Sequence, residues 1–313
     1  MNSVSYIALK ILSSWLYFLC EIGGFMVNIL DGKLVASKVK EKIKNEINNI
    51  NNDIKPCLMV IRVETRDEES DFANKKYIRN KEKACEFVGM VSVSLTLSYD
   101  TTEDELIDRI KFYNNNENVH GIMVQQPLPK HINPNVVNEN IDPIKDVDGF
   151  HPVNLGLCML NREGNLPCTP YGIMEIFKHY DIELKGKNAV VVGRSNIVGK
   201  PLTNLLINSG ATVTCCNSNT KNLEDITKRA DIVITAIGKA NYFDSSYFKD
   251  GQTIIDVGIN FNNEKKMCGD VNFKDVTETF NNINITPVPG GVGQMTVAML
   301  LTNTLNSYKK MVK

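Results

Sequence analysis

Between Asn74 and Val88, residues Tyr77, Lys81, Ala84 and Val88 recur at steps of four, three and four. That spacing puts Lys81 on the apolar face of a helix, apart from the solvated Lys75, Lys76 and Lys83. An ammonium in partly dry surroundings has a lowered pKa and can carry protons. The same spacing also fits an aliphatic stem packed on the core with its head reaching water. Gln125 follows the apolar run GIMV and precedes the rigid PLP turn, so its amide projects where strands end. Asp146 and Asp148 lie in the loop before Gly149, and the Asp148 carboxylate suits the paired donors of an amino-heterocycle. A capping amide and a turn-forming aspartate are the alternatives at these positions. The run Pro287-Val-Pro-Gly-Gly-Val-Gly293 is rigid and then permissive, a backbone able to approach a flat ligand closely.

A second constellation begins at Gly193-Arg-Ser-Asn-Ile-Val-Gly199-Lys-Pro, between a predicted strand and a predicted helix. Its glycines are six apart, so it is neither GxGxxG nor a P-loop, which would need Ser or Thr where Pro201 stands. Pro201 suits a first helical turn, where no amide hydrogen is required, and phosphate can lie against the free amides there. An ordinary tight strand-to-helix turn is the other reading. An NAD site usually carries Asp or Glu at the end of the next strand. Here that strand ends Cys216-Asn217-Ser218, without a carboxylate. Arg194 can fork onto a 2′-phosphate with Ser218 donating beside it, which favours NADP over NAD; a solvated surface arginine is the alternative.

Alternating helical and strand patterns must position these groups. Helices are expected over Leu34–Ile50, Asn74–Val88 and Thr102–Tyr113, the last with Thr102 and Glu105 spaced as a capping box. Strands are expected at CLMVIRV (57–63), 91–98 and 119–124. The stretch Pro127–Pro170 reads as loop-rich. A second run follows: strand 188–192, helix 199–208, strand 211–216, helix 223–229, strands 232–237 and 253–257, and an amphipathic helix from Met295. The fold class is α/β, with an N-terminal parallel-sheet domain and a Rossmann-like NAD(P)-binding domain. The expected boundaries are a leader over 1–27, a catalytic α/β domain over 28–150 carrying Lys81, Gln125 and Asp148, and an NADP-binding domain over 151–293. A C-terminal helix over 294–313 is expected to pack back on the first domain.

With 35 basic and 36 acidic side chains, the chain has no field to steer a polyanion, so nucleic acid is not an expected partner. Eight cysteines without a CxxC and four scattered histidines give no metal-ligand spacing, so no metal is expected. Residues 5–26 are mostly apolar but interrupted by Lys10 and Ser13-Ser14, short of the roughly 20 apolar residues of a membrane span. They read as a targeting leader, with a packed N-terminal helix as the alternative. A leader would send the protein to a mitochondrion or plastid; otherwise a cytoplasmic location is expected.

Seven collinear segments closely resemble the bifunctional methylenetetrahydrofolate dehydrogenase/methenyltetrahydrofolate cyclohydrolase family. They are YIRNKEKACEFVG (77–89), GIMVQQPLP (121–129), KDVDGFHPVNLG (145–156), PCTPYGI (167–173), VVVGRSNIVGKP (190–201), IIDVGIN (254–260) and ITPVPGGVGQMTVAML (285–300). The resemblance implies NAD(P)-dependent oxidation of 5,10-methylenetetrahydrofolate, then hydrolysis of the methenyl product to 10-formyltetrahydrofolate. It implies that Lys81 handles the proton in hydrolysis, that Gln125 hydrogen-bonds Lys81, that Tyr77 orients the folate and that Asp148 holds the pterin. It places Gly193, Arg194, Ser195, Ser218 and Ile259 around NADP, closes Pro289, Gly290, Gly291 and Val292 over folate, and implies a homodimer. The chain departs from the family pattern before Tyr77, where VETRDEESDFANKKY carries Glu64 in place of glycine, extra residues, and Asn74 three before the tyrosine. Gln294 and Ala240 replace usual prolines. A dehydrogenase lacking the hydrolytic step is one rival reading, opposed by the presence of both Lys81 and Gln125. A catalytically silent folate- or nucleotide-binding protein is the other, opposed by the retention of Lys81 and Arg194.

Overall fold

The computed structural model describes residues 26–51, 53–262 and 264–312, so the leader expected over 1–27 lies outside them except for its last two residues. Those two are part of the fold. Met26–Ile29 forms strand β1, paired in parallel with a strand some 250 residues later in the chain. Four residues are too few to show a period, and nothing in the neighbouring sequence announces so distant a partner.

Helix α1 (Gly32–Asn48) follows, started by the Asp31 side chain accepting from the Leu34 amide at 3.0 Å. Strand β2 (Cys57–Val63) is buried at all seven positions, as a central strand covered on both faces must be. Helix α2 (Glu68–Val88) carries Lys81 and starts six residues before the expected Asn74. Its added first turns show no apolar period. An ion pair anchors them instead: Asp71 binds the buried Arg62 of β2 and also Lys75 at 2.9 Å. Strand β3 (Val91–Leu97), helix α3 (Glu103–Asn114) and strand β4 (Gly121–Val124) complete the unit. The Thr102–Glu105 capping box of α3 is fully formed. The three strands are parallel in the order β3-β2-β4, with β3 at an edge.

The stretch read as loop-rich contains two helices, α4 (Pro134–Asn140) and α5 (Pro152–Met159), and at its end a third, α6 (Cys168–His179), begins. Proline marks their first turns. Pro134 and Pro152 sit where the missing amide hydrogen costs nothing, behind the side-chain caps Asn133 and His151. The second sheet takes β5 (Asn188–Val192), α7 (Gly199–Asn208), β6 (Thr212–Cys216), α8 (Leu223–Arg229), β7 (Ile232–Thr235) and β8 (Thr253–Asp256). A small antiparallel pair, β9 (Asn260–Phe261) and β10 (Met267–Cys268), then precedes α9 (Phe273–Thr279) and β11 (Asn282–Ile285). The six strands are all parallel, ordered β1-β11-β8-β7-β5-β6. The order reverses beside β5, the place where open parallel sheets bind ligands.

The last helix, α10 (Val292–Met311), packs on α6 and α1 and reaches α2, β2 and β4. One continuous apolar cluster therefore joins Leu58, Val60 and Met123 of the first sheet to Val191, Ile234 and Ile255 of the second. The first strand and the last helix thus tie the two sheets together.

Candidate active site

Lys81 comes from the middle of α2 and Gln125 from the residue after β4, whose amide is held by the Ile61 carbonyl at 2.8 Å. Both side chains are 8% exposed, and Lys81 Nζ donates to Gln125 Oε1 at 2.7 Å. The amide of Gln125 is oriented in turn: its Nε2 donates to the Gln126 carbonyl at 2.6 Å and to Asn74 Oδ1 at 3.5 Å. Asn74, the expected start of the helix, is thus buried one turn before Tyr77, and its own Nδ2 has no partner. Burial pushes the Lys81 ammonium below the usual lysine value, and the nearby Asp148 carboxylate opposes that shift. The converse holds for Asp148, which burial pushes up to about 7 against the opposing charge of Lys81. A base and an acid that both titrate toward neutrality are thereby paired.

Asp148 is positioned from beneath by the C-terminal helix. Asn303 of α10 donates to the carbonyls of Val147 at 2.9 Å and Leu166 at 2.8 Å, and Asp148's own carbonyl accepts from the Cys168 amide at 3.3 Å. Asp146 is a scaffold: its buried carboxylate accepts from the amides of Gly149 and His151 and from Asn154.

A cavity of about 470 Å3 opens between α2 and the loops of the second sheet. Tyr77, Ile259 and the whole of Pro289, Gly290, Gly291 and Val292 line it, with Phe72 and Phe261 at its mouth. The Tyr77 ring is half exposed, and its centre lies 5.9 Å from Lys81 Nζ, which joins the cavity to the Lys81–Gln125 pair behind it. Gly193, Arg194, Ser195 and Ser218 lie away from that cavity, at the carboxyl ends of β5 and β6.

The Gly193 loop is shaped by its two glycines. Gly193 has φ +132°, and a side chain there would fall 2.3 Å from the Ala236 carbonyl oxygen. A Cβ on Gly199 would fall 2.0 Å from the Gly193 oxygen, so the backbone folds closely on itself, and the amides expected to be free at the start of α7 are taken up within the loop, that of Lys200 by the Ser195 carbonyl at 3.0 Å. The Ser195 hydroxyl is engaged within the loop, accepting from the amides of Val198 at 3.2 Å and Gly199 at 3.4 Å. Arg194 and Ser218 are both exposed. Among the described residues no group of three or more His, Cys, Asp or Glu is placed to hold a metal ion, and no helix is long and apolar enough to cross a membrane.

Known proteins match the chain in two parts. A model of the tetrahydrofolate dehydrogenase/cyclohydrolase catalytic domain matches residues 30–148, and one of the corresponding NAD(P)-binding domain matches 167–312. The bifunctional protein FolD of Agathobacter rectalis is 49% identical over 91% of this chain and 100% of its own length. That of Campylobacter hominis is 50% identical over 92% and 99%. Among solved structures, the Campylobacter jejuni FolD methylenetetrahydrofolate dehydrogenase/cyclohydrolase superposes with a TM-score of 0.86, at 44% identity over 91% of this chain and 99% of that one. The Trypanosoma brucei enzyme, solved with NADP and an inhibitor, gives 0.84 at 34% identity over 92% and 99%.

Proposed function

The chain belongs to the tetrahydrofolate dehydrogenase/cyclohydrolase family, and from that premise we propose how its own residues carry out the two reactions. It oxidises 5,10-methylenetetrahydrofolate to the methenyl form and hydrolyses that to 10-formyltetrahydrofolate. The observation that carries the assignment of roles is the buried Lys81–Gln125 hydrogen bond, set directly behind a cavity walled by Tyr77 and the Pro289–Val292 loop.

NADP is the cofactor in this reading. When bound, it supplies the hydride acceptor for the one-carbon bridge. The Gly193 loop would hold the phosphates, while Arg194 and Ser218 would recognise the 2′-phosphate; Ser195 shapes that loop, and Ile259 reaches the cavity. Oxidation chiefly needs two flat rings held together, which orientation alone accelerates strongly. Tyr77 and the Pro289–Val292 loop supply the walls, and Asp148 anchors the pterin through its carboxyl oxygens.

Hydrolysis then needs a base. The methenyl carbon is electrophilic, and the water attacking it must lose a proton near neutral pH. Lys81, lowered by burial, takes that proton on Nζ, and a proton is returned to N5 of the folate as the bond between N5 and the one-carbon bridge breaks to leave the 10-formyl group. Gln125, itself oriented by Asn74, holds Nζ in place. The active protein is a homodimer in this reading, with a second copy seated on the open edge of β3.

Purified protein given methylenetetrahydrofolate with NADP or NAD tests the assignment. Reduced NADP should appear together with 10-formyl product, and NAD should serve poorly. Equal use of both cofactors would contradict the roles of Arg194 and Ser218, and methenyl product accumulating without catalysed hydrolysis would contradict that of Lys81.

A further inference from the structure

Two buried carboxylates on the cofactor side take no part in the chemistry above. Asp256 ends β8 and Asp270 follows β10; they are 3% and 0% exposed. Asp256 accepts from the amides of Gly258 and Asp270, each at 3.0 Å, and of Val271 at 2.9 Å. Asp270 accepts from three successive amides, Ile237 at 2.7 Å, Gly238 at 3.2 Å and Lys239 at 2.8 Å, and from the Asn260 side chain at 2.9 Å. Ile237 and Gly238 share one of its oxygens; Lys239 and Asn260 share the other.

Successive backbone amides turned into one concavity form a nest for an anion. Here the chain's own carboxylate fills it. The carboxylate is fully buried, whereas Gly238 and Lys239 lie at the surface, so an interior group dictates the course of a surface loop. That loop leaves the carboxyl end of β7, and the residue before it, Ala236, packs against Gly193 of the dinucleotide loop. The fourth donor, Asn260, adjoins Ile259 on the cavity wall. Asp270 therefore ties together the segments leaving β7 and β8, at the end of the sheet where ligands of this topology bind.

We propose that Asp270 is a positioning residue for the dehydrogenase, fixing residues 237–239 and 259–260 in the geometry that receives the dinucleotide, and that hydrolysis does not depend on it. Asp256 supports it from behind by holding the Asp270 and Val271 amides. The inference rests on the dinucleotide reading of the Gly193 loop. An asparagine at 270 cannot substitute, because its amino group would face two donors with nothing to accept their hydrogens.

The full chain, Asp270→Asn and Asn260→Ala are compared in two assays. One follows NADP reduction with methylenetetrahydrofolate; the other follows hydrolysis of added methenyltetrahydrofolate without dinucleotide. Asp270→Asn should raise the KM for NADP about tenfold and lower kcat, the scale of losing one bond to a charged acceptor, with hydrolysis unchanged. Asn260→Ala removes a single donor and should raise that KM about threefold, again with hydrolysis intact. If Asp270→Asn fails to fold, Asn260→Ala decides alone. Parallel loss of both activities in Asn260→Ala marks a structural role and overturns the proposal, as do unchanged NADP kinetics. A wild-type chain that reduces neither NADP nor NAD removes the functional reading and the proposal with it. An active wild type with unaffected variants removes the proposal only.

Discussion

At the scale of single residues, two titrating groups should set the pH behaviour in the proposed reading. Lys81 is lowered by burial, and Asp148 opposes that lowering while itself standing at about 7. Hydrolysis should fall as the pH drops through the Lys81 value, because protonation removes the base. Asp148→Asn removes the charge that favours the ammonium, so the Lys81 pKa should fall further and the acid limb of the hydrolysis profile should move to lower pH. A profile that moves upward or stays in place would mean that the two groups do not interact. The placement of Lys81 on an apolar helix face and of Gln125 at a strand end is legible in the local sequence, whereas their hydrogen bond to each other comes only from the family resemblance. Asn74, Asp256 and Asp270 are not. Their partners are a distant amide side chain or the backbone of remote loops, and neither leaves a pattern in the local sequence. Ser195 is legible as a member of the loop, but the engagement of its hydroxyl with the Val198 and Gly199 amides is not.

At the scale of elements, what packs with a strong period is readable and what is held by polar anchors is not. The all-apolar β2 and the capping box of α3 are as the sequence implies. The first turns of α2 are hidden because a buried arginine on β2, not an apolar stripe, secures them. The helices α4, α5 and α6 are hidden because proline reads as a loop signal when it stands at a helix start. Strand β3 carries a prediction. It is the edge of a three-stranded sheet, with no strand on its outer side among the described residues, and Val91 and Val93 are 46% and 41% exposed. An apolar parallel edge left open invites pairing, and a copy related by a two-fold axis presents its own β3 antiparallel. Sedimentation of the full chain should give twice the monomer mass, and Val93→Lys should halve it without changing the melting of the fold. A wild-type monomer at working concentration would contradict the homodimer.

At the scale of the whole molecule, the two sheets meet in one cleft because the chain's ends bind them together. β1 extends the second sheet, and α10 crosses back to hold the Asp148 loop through Asn303. The βαβ rhythm is enough to divide the chain into two sheets; the long-range tie through four residues at one end and an asparagine at the other is beyond any local pattern. In the proposed reading the oxidising and hydrolysing steps share a cleft but use different groups, so they should separate on substitution of one side chain. Lys81→Gln is the direct test, because glutamine can still donate to Gln125 Oε1 but cannot accept a proton from water. With methylenetetrahydrofolate and NADP, the variant should reduce NADP and accumulate methenyl product, with 10-formyl product forming only at the uncatalysed rate. Formyl product appearing as fast as in the wild type would contradict the assignment of Lys81 as the base.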